Sequence, residues 1–252
     1  MTREVDTAVI LAAGMGTRLS ERFSDLPKGF VRIGRETLIQ RSTRLLRQRG
    51  IARIVIVAGF MAHAYRDLAS REPDLEVVEN EKFSSTGSMA SLARALDVVD
   101  SPFLLLESDL FYEPRALAAV LACEAPDVLL ASGPTGAGDE VWVEAVGGRL
   151  KGLSKLRAEL GAVSGELVGI HKISPPLAEL MRGLYRSFVS ERGHGRMAYE
   201  TEALATAARS RPVEVCVVPD LLWGELDDEH HYRRLCREIW PAWEKRQAEA
   251  TE

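Results

Sequence analysis

The sequence predicts an α/β fold in which a mostly parallel, mixed sheet is flanked by helices. Short runs of consecutive apolar residues alternate with amphipathic helical segments through the first half of the chain. Uninterrupted apolar strands are typical of parallel sheets buried on both faces, and helices supply the crossovers between such strands. The first apolar run also ends in a glycine-rich loop, and the carboxyl ends of strands are where open α/β sheets bind ligands.

The first half of the chain supplies this alternation. Apolar runs indicate the strands, and apolar residues at i, i+3 and i+4 indicate the helices. Gly50 ends the first helix. We predict strands at 7–13, 53–59, 75–79, 103–107 and 128–131, and helices at 36–48, 62–69, 88–98 and 114–123.

The pattern changes after residue 131. Gly147-Gly148 indicates a hairpin turn, and Pro175-Pro176 is typical of a helix start. Pro241 is expected to kink or end the last helix. We predict strands at 141–146, 149–153, 167–173 and 213–218, and helices after 175, at 197–208 and at 228–246. Because no long linker, repeat or low-complexity segment interrupts the chain, we expect one domain over residues 1–252.

Composition limits the function. The 252 residues carry a net charge of −5, which argues against a nucleic-acid-binding protein because such proteins are usually basic. Cys123, Cys216 and Cys236 form no C-x-x-C pair and predict neither a zinc site nor a disulfide framework. The N-terminus has no apolar signal core, and no apolar run has transmembrane length. We therefore expect a cytoplasmic protein without membrane insertion.

The glycine-rich loop after the first strand predicts a phosphate site. Gly14 and Gly16 let the backbone approach a ligand closely, and loop N–H groups can then face a phosphate chain. Arg18 and Lys28 add fixed positive charge. We expect nucleotide contacts from Leu11, Ala12, Ala13, Gly14, Gly16, Thr17, Arg18 and Lys28, with Arg18 and Lys28 as the catalytic cations.

The spacing excludes two other phosphate-binding loops. A dinucleotide fingerprint needs a third glycine where this chain has Leu19, and no Gly-Lys-Ser/Thr sequence of a Walker loop is present. Gly14-x-Gly16 with Arg18 and Pro27-Lys28 instead resembles nucleotidyltransferases that activate sugars, choline phosphate or related groups. An ordinary strand-to-helix turn is the alternative interpretation.

Two aspartates are candidate metal ligands. Asp109 follows the strand at 103–107, and carboxylates at such a strand end suit Mg²⁺, which prefers hard oxygen ligands. A helix cap before Pro114 is the alternative role for Asp109. Asp228 is well placed to cap the last helix, which leaves Asp227 as the second metal ligand.

Other polar residues have ordinary alternatives. The segment 84–88 either caps a helix or contacts the base or ribose through Thr86, Gly87 and Ser88. Lys155 is either a surface lysine or a clamp for a second phosphate-like group. Asp139-Glu140 and Glu166 are either surface carboxylates or a site for a cationic substrate tail. No HExxH or triad arrangement is present among the histidines, and we expect His230-His231 to be solvated.

The internal segments are similar to those of phosphonate cytidylyltransferases, which belong to the GT-A-like nucleotidyltransferases. The similarity covers nearly the whole chain. It is carried by KFSSTGSM (82–89), LLESDL (105–110), ASGPTGAGDE (131–140), GELVG (165–169) and WGELDDE (223–229).

This resemblance implies a Rossmann-like, GT-A-like fold and a Mg²⁺-dependent reaction between CTP and 2-aminoethylphosphonate. The products are CMP-2-aminoethylphosphonate and pyrophosphate. In this scheme Lys28 stabilises charge at the α phosphate, and Lys155 holds the phosphonate. Glu140, Glu166 and Glu200 are candidates for the ammonium tail, and Asp109 and Asp227 hold Mg²⁺.

Three alternatives stay open at this stage. One is cytidylyl transfer to phosphocholine or a polyol phosphate, and another is sugar-1-phosphate nucleotidyl transfer. The third is a nucleotide-binding regulatory module, against which the combination of Arg18, Lys28, Asp109 and Asp227 argues. The sequence also leaves open a homodimer.

Overall fold

A computed structural model describes residues 5–19, 23, 25–197 and 199–249. Its first half contains β1 (Thr7–Ala12), β2 (Arg32–Ile33), β3 (Glu36–Thr37), α1 (Leu38–Arg47), β4 (Arg53–Ala58), α2 (Ala62–Ala69), β5 (Leu75–Glu79), α3 (Ser88–Ala95), β6 (Phe103–Glu107), β7 (Leu110–Tyr112), α4 (Arg115–Ala122) and β8 (Val128–Ser132). The second half contains β9 (Trp142–Val146), β10 (Arg149–Ser154), β11 (Val163–Ile173), α5 (Pro175–Arg192), α6 (Glu200–Ala207), β12 (Glu214–Val218), β13 (Trp223–Glu225), α7 (Glu229–Arg234) and α8 (Trp240–Glu249).

The predicted α/β class is confirmed by the sheet. Within the described ranges, nine strands form one sheet in the order β5-β4-β1-β6-β11-β8-β12-β10-β9. β1, β4, β5 and β6 run parallel, whereas β11 is antiparallel to both β6 and β8. β9 pairs with β11 as well as with β10, so the second half of the sheet closes on itself. The sheet is therefore mixed: among the described residues four strand pairings are parallel, including that of β8 with β12, and five are antiparallel.

One local prediction is confirmed and another is corrected. Gly147 and Gly148 have φ of 58° and 77° and join β9 to β10, as a two-residue hairpin turn with two positive φ values requires. The first helix begins at Leu38 rather than at residue 36. Glu36 and Thr37 instead pair with β2, and Thr37 forms a capping box with Gln40.

Apolar clusters lie on both faces of the sheet. Ile10, Tyr65 and Leu106 belong to the cluster on the side of α1, α2 and α4. Met89 and Leu177 belong to the cluster on the side of α3, α5 and α6. A further cluster joins the segment after Lys28 to the C-terminal helices and contains Phe23, Val31, Ile33, Leu38, Phe111, Leu226, Leu235, Ile239 and Trp243. This last cluster fixes the chain on either side of the candidate site.

The C-terminal region differs from two expectations. Pro241 is the second residue of α8 and therefore does not end the last helix, and a π-helical turn at Leu235–Ile239 comes just before it. His231 is 4% exposed and thus is not solvated, whereas His230 is exposed. Among the described residues, no helix is both long and apolar enough to cross a membrane.

Candidate active site

A cleft of about 650 Å³ opens at the carboxyl ends of the parallel strands. Its lining draws on the loop after β1, the ends of β5 and β6, and the segments around β10, β11 and β13. All the residues predicted to bind the nucleotide line it, namely Leu11, Ala12, Ala13, Gly14, Gly16, Thr17, Arg18, Lys28, Thr86, Gly87 and Ser88. The geometry brings these residues together, and their roles toward a nucleotide stay predictions.

The two loop glycines differ in what a side chain would meet. Gly16 has φ of +60°, and a Cβ there would lie 3.2 Å from Lys28 Cγ. Gly14 has no such restriction, since no heavy atom lies within 4 Å of the position of its Cβ. Gly16 therefore shapes the loop around Lys28, whereas the space beside Gly14 is open for a ligand.

Lys28 lies between the two predicted metal ligands. Its Nζ donates to Asp109 Oδ2 at 2.8 Å and makes a short contact with Asp227 Oδ1. Arg18 Nη2 contacts the other oxygen of Asp227, Oδ2, at 2.8 Å. The two carboxylates, which are 118 residues apart in the chain, thus converge on one cationic position.

Strand pairing explains this convergence. β7 begins immediately after Asp109, and β13 ends two residues before Asp227. The strands are antiparallel with Leu110 opposite Glu225, and Leu226 N–H donates to the carbonyl of Asp109. The register of this pair therefore brings the two aspartates to the same point.

The donor set fits a divalent cation. Two carboxylates already hold one positively charged group, the Lys28 ammonium, and carboxylate oxygens are the protein ligands that Mg²⁺ uses beside substrate phosphates. Asp109 and Asp227 are the residues that would hold such an ion.

The charges of this group stabilise one another. Burial alone would lower the pKa of Lys28, but Asp109 and Asp227 outweigh burial and raise it. Burial would raise the pKa of Asp227, but Lys28 and Arg18 hold it below the usual value. Lys28 is therefore an ammonium and Asp227 a carboxylate at neutral pH.

Sequence reasoning missed two further carboxylates in the cleft, Glu107 and Glu225. Burial and neighbouring acids raise the pKa of Glu225 to about 8, and burial likewise raises that of Glu107. Neither side chain has a hydrogen bond or ion pair within the described part of the chain. Each is the last residue of its strand, β6 or β13, and precedes a predicted metal ligand by two residues. This two-residue spacing before Asp109 and Asp227 was the sequence signal that could have identified both glutamates.

Another missed residue organises the α3 side of the cleft. Asn80 follows β5, and its amide nitrogen lies 3.0 Å from Thr86 Oγ1 and 3.1 Å from Ser91 Oγ. The N-cap of α3 is Gly87, without a side-chain cap, so the capping role considered for this segment is not observed. Ser88 Oγ instead donates to the buried Glu200 carboxylate in a short contact.

The predicted substrate residues divide into two groups. Lys155 lines the cleft, with its Nζ 5.7 Å from the ring centroid of Tyr199. Glu140, Glu166 and Glu200 are absent from the cleft lining. Glu166 is buried, and its carboxylate accepts hydrogen bonds from Thr135 N–H, at 2.6 Å, and from Thr135 Oγ1. The structure thus does not bring these three glutamates together with Lys155.

The fold and the site define a nucleotidyltransferase, in which a glycine loop, a lysine and two aspartates line one cleft. The chain belongs to the MobA-like NTP transferase domain family, whose model matches residues 8–184.

Two relatives confirm the similarity to phosphonate cytidylyltransferases. CMP-5'-(3-aminopropyl)phosphonate synthase of Streptomyces rubellomurinus is 29% identical over 90% of this chain and 38% of its own length. The 2-aminoethylphosphonate cytidylyltransferase of Lancefieldella rimae is 28% identical over 44% of this chain and 48% of its own length. The matched regions therefore cover less than half the length of either relative.

Solved structures confirm the fold. The inositol-1-phosphate CTP transferase from T. maritima has a TM-score of 0.75 at 20% identity, covering 95% of this chain and 98% of the other. The CTP:phosphocholine cytidylyltransferase of Streptococcus pneumoniae has a TM-score of 0.73 at 18% identity, covering 92% and 98%.

Proposed function

We propose that the protein is a Mg²⁺-dependent cytidylyltransferase that joins CTP to an aminoalkylphosphonate, with 2-aminoethylphosphonate as the first candidate. The observation that carries this proposal is the Lys28 ammonium between Asp109 and Asp227, beside an open glycine loop. The names of the phosphonate-specific relatives supply the nucleotide and the acceptor class.

The chain's own groups position the triphosphate. The loop N–H groups around Gly14 and Gly16 face the β and γ phosphates together with Arg18, whose side chain is 59% exposed and pairs with Asp227 in the nucleotide-free protein. Lys28 neutralises charge that develops at the α phosphate. Mg²⁺, held by Asp109 and Asp227, supplies further neutralisation of phosphate charge when bound.

The transfer itself needs no strong base. A phosphonate oxygen, already anionic at neutral pH, forms the new bond to the α phosphorus. The bond from that phosphorus to the bridging oxygen of pyrophosphate breaks, and pyrophosphate leaves with its electron pair. Catalysis then consists of positioning and of charge neutralisation by Lys28 and Arg18.

The charges in the cleft suit an acceptor with opposite charges at its two ends. Lys155 offers a cation for the phosphonate. Glu107 and Glu225 are half-buried carboxyl groups that make no hydrogen bond among the described residues. Their raised pKa keeps them largely protonated in the empty cleft, but a primary ammonium can donate three hydrogen bonds and would favour their ionised form. A trimethylammonium group donates none and is bound by aromatic faces instead. This favours an aminoalkylphosphonate over phosphocholine.

The test is pyrophosphate release with CTP, Mg²⁺ and one acceptor at a time. We expect release with 2-aminoethylphosphonate or 3-aminopropylphosphonate, and much less with hydroxyethylphosphonate, phosphocholine or glucose-1-phosphate. Release with phosphocholine or glucose-1-phosphate alone would overturn the acceptor assignment. Tight CTP binding without turnover of any acceptor would favour the regulatory module.

The Asp109→Asn variant tests the metal assignment within the same assay. It keeps the side-chain shape but removes the charge that faces Lys28 and the cation. We expect turnover to be lost while the thermal midpoint stays near that of the wild type. Near-normal turnover would contradict the assignment.

A further inference from the structure

A second group of potential ligands shares Asp227 with the predicted Mg²⁺ position. Asp139, Asp227 and His231 each offer one ligand atom, and these atoms all lie within 4.8 Å of one another. They come from three segments of the chain: the loop between β8 and β9, the residues after β13, and the first turn of α7. None of them is Asp109, so this group is distinct from the predicted Mg²⁺ position except for the shared Asp227.

The His231 imidazole is poorly satisfied by its protein neighbours. It is 4% exposed, and its Nδ1 is buried without a hydrogen-bond partner in the described part of the molecule. Its Nε2 lies 3.4 Å from Asp139 Oδ1, which is longer than a good N–H···O hydrogen bond. Because Nε2 faces Asp139 without a well-formed hydrogen bond, Nε2 is the nitrogen that can bind a metal ion here.

The segments that carry these side chains are held in place. Asp228 caps α7 by accepting from His231 N–H at 2.9 Å, which fixes the backbone of the histidine. The loop that carries Asp139 is tied to β11 by the two hydrogen bonds from Thr135 to Glu166. Arg234 of α7 also donates to the carbonyl of Thr135, at 3.4 Å, so the loop and the helix contact each other directly.

The spacing is close to that of a metal site. Ligand atoms about 2.1 Å from one ion lie at most about 4.2 Å apart, so closure requires side-chain movements of less than about 1 Å. Two carboxylates with one imidazole favour a first-row transition ion, because imidazole suits such ions and Mg²⁺ prefers oxygen ligands. We propose that Asp139, Asp227 and His231 form a second divalent-cation site, selective for a transition ion over Mg²⁺.

The shared carboxylate connects this site to catalysis. Asp227 Oδ1 faces Lys28, and Oδ2 contacts Arg18. A nucleotide whose phosphates attract Arg18 would release Asp227 Oδ2 toward Asp139 and His231. This coupling between nucleotide binding and the second cation site is the one step that rests on the proposed function. The metal site itself is testable without any substrate.

The experiment titrates the nucleotide-free full chain with Mn²⁺ in an excess of Mg²⁺ and follows free Mn²⁺ by EPR. Pulsed EPR of the bound ion then detects a directly coordinated nitrogen. We expect retained Mn²⁺ with a nitrogen signal. His231→Gln and Asp139→Asn should weaken Mn²⁺ binding by about tenfold or more, at least the loss seen on removing an outer-shell partner.

His230→Gln is the matched control, because His230 is the exposed neighbour and should leave the signal unchanged. Asp109→Asn should also retain the Mn²⁺ that carries the nitrogen signal. The proposal would be overturned if the bound Mn²⁺ gave no nitrogen signal, or if Mn²⁺ bound to His231→Gln with the wild-type affinity. It would also be overturned if the excess of Mg²⁺ displaced all the Mn²⁺ from the wild-type protein. Asp139 is partly exposed, so Asp139→Asn decides the question if His231→Gln fails to fold. Failure of the proposed function would appear instead in the pyrophosphate assay.

Discussion

At the residue scale, Lys28 has two opposed effects. Its ammonium separates two carboxylates in the nucleotide-free protein, and it is expected to neutralise phosphate charge during transfer. For Lys28→Met we expect turnover to fall by about 100-fold or more, a loss typical of removing a group that stabilises transition-state charge. CTP affinity should change less. Steady-state kinetics and CTP titration measure both quantities.

The same substitution should strengthen binding of Mg²⁺ to the nucleotide-free protein, because no ammonium then competes for Asp109 and Asp227. Isothermal titration with Mg²⁺ measures this affinity. Lys151→Met, an exposed lysine outside the cleft, is the control. A Lys28→Met protein with normal turnover and weaker CTP binding alone would contradict the transition-state role.

His171 is a second residue with a measurable consequence. It lies on β11, is 1% exposed, and neither ring nitrogen has a hydrogen-bond partner among the described residues. Burial lowers its pKa to about 4, whereas an unfolded histidine has a pKa near 6.5. The unfolded state therefore binds more protons between these values. Stability is complete above about pH 6.5 and declines as pH falls toward 4.

The loss from His171 should approach about 3 kcal/mol once the pH is below 4. Urea unfolding at a series of pH values measures it as the difference between the wild type and His171→Leu, which cannot titrate. Equal pH dependence in the wild type and His171→Leu would contradict the prediction.

Sequence reasoning at this scale found side chains next to recognisable local patterns. Arg18 and Lys28 follow the glycine loop, and Asp109 ends an apolar strand. His231 was expected to be solvated because its own helix is polar, but the side chain is covered by the distant loop that carries Asp139. Such burial depends on tertiary contacts that local periodicity does not contain.

At the element scale, the short 3-10 turn at Lys28–Phe30 depends on close packing. A Cβ on Gly29 would lie 2.9 Å from Tyr65 Oη and 3.3 Å from the carbonyl oxygen of Ser108. Gly29→Ala should therefore lower the free energy of unfolding by about 1–3 kcal/mol, as overpacking usually does. It should also reduce turnover, because the turn carries Lys28. Urea unfolding and steady-state kinetics check the two effects.

Gly183→Ala is the matched control for this substitution. Gly183 lies inside α5, has no atom within 4 Å of its Cβ position, and has an ordinary helical backbone. We expect a gain of about 0.5–1 kcal/mol with unchanged kinetics, since alanine replaces glycine in a helix interior. A stabilised Gly29→Ala would show that the turn can move away from Tyr65.

Strands were predicted correctly where the local sequence pattern alone defines the element. β6 has the predicted bounds because a buried parallel strand is an apolar run. β5 also has the predicted bounds, although it is a partly buried edge strand with the sequence LEVVE. β7 and β13 were missed, since each is three residues long and is defined by its partner. The pairing of these two missed strands brings Asp109 and Asp227 together. The sequence therefore identified both aspartates but not their arrangement in space.

At the scale of the whole molecule, the cleft lies between the carboxyl ends of the parallel strands and the segments around β10, β11 and β13. The C-terminal helices support this arrangement through Trp243, which belongs to the same apolar cluster as Phe111 and Val31. The Arg41 guanidinium lies 4.1 Å from the ring centroid of Phe111 and 5.1 Å from that of Trp243, and it also donates to the carbonyl of Tyr112. The last helix is therefore linked to β7, which follows Asp109.

Trp243→Ala should accordingly affect both stability and activity. Loss of a buried tryptophan costs about 3–5 kcal/mol, and here it also uncovers the buried Arg41. Because β7 positions Asp109, turnover at a temperature where the variant is still folded should fall as well, and saturating CTP with Mg²⁺ should recover part of the thermal midpoint. Glu244→Ala, the adjacent half-exposed position on α8, is the control. A loss below about 1 kcal/mol would mean that the C-terminal helix only covers the fold. A large loss with normal turnover would mean that the helix stabilises the molecule without positioning the site.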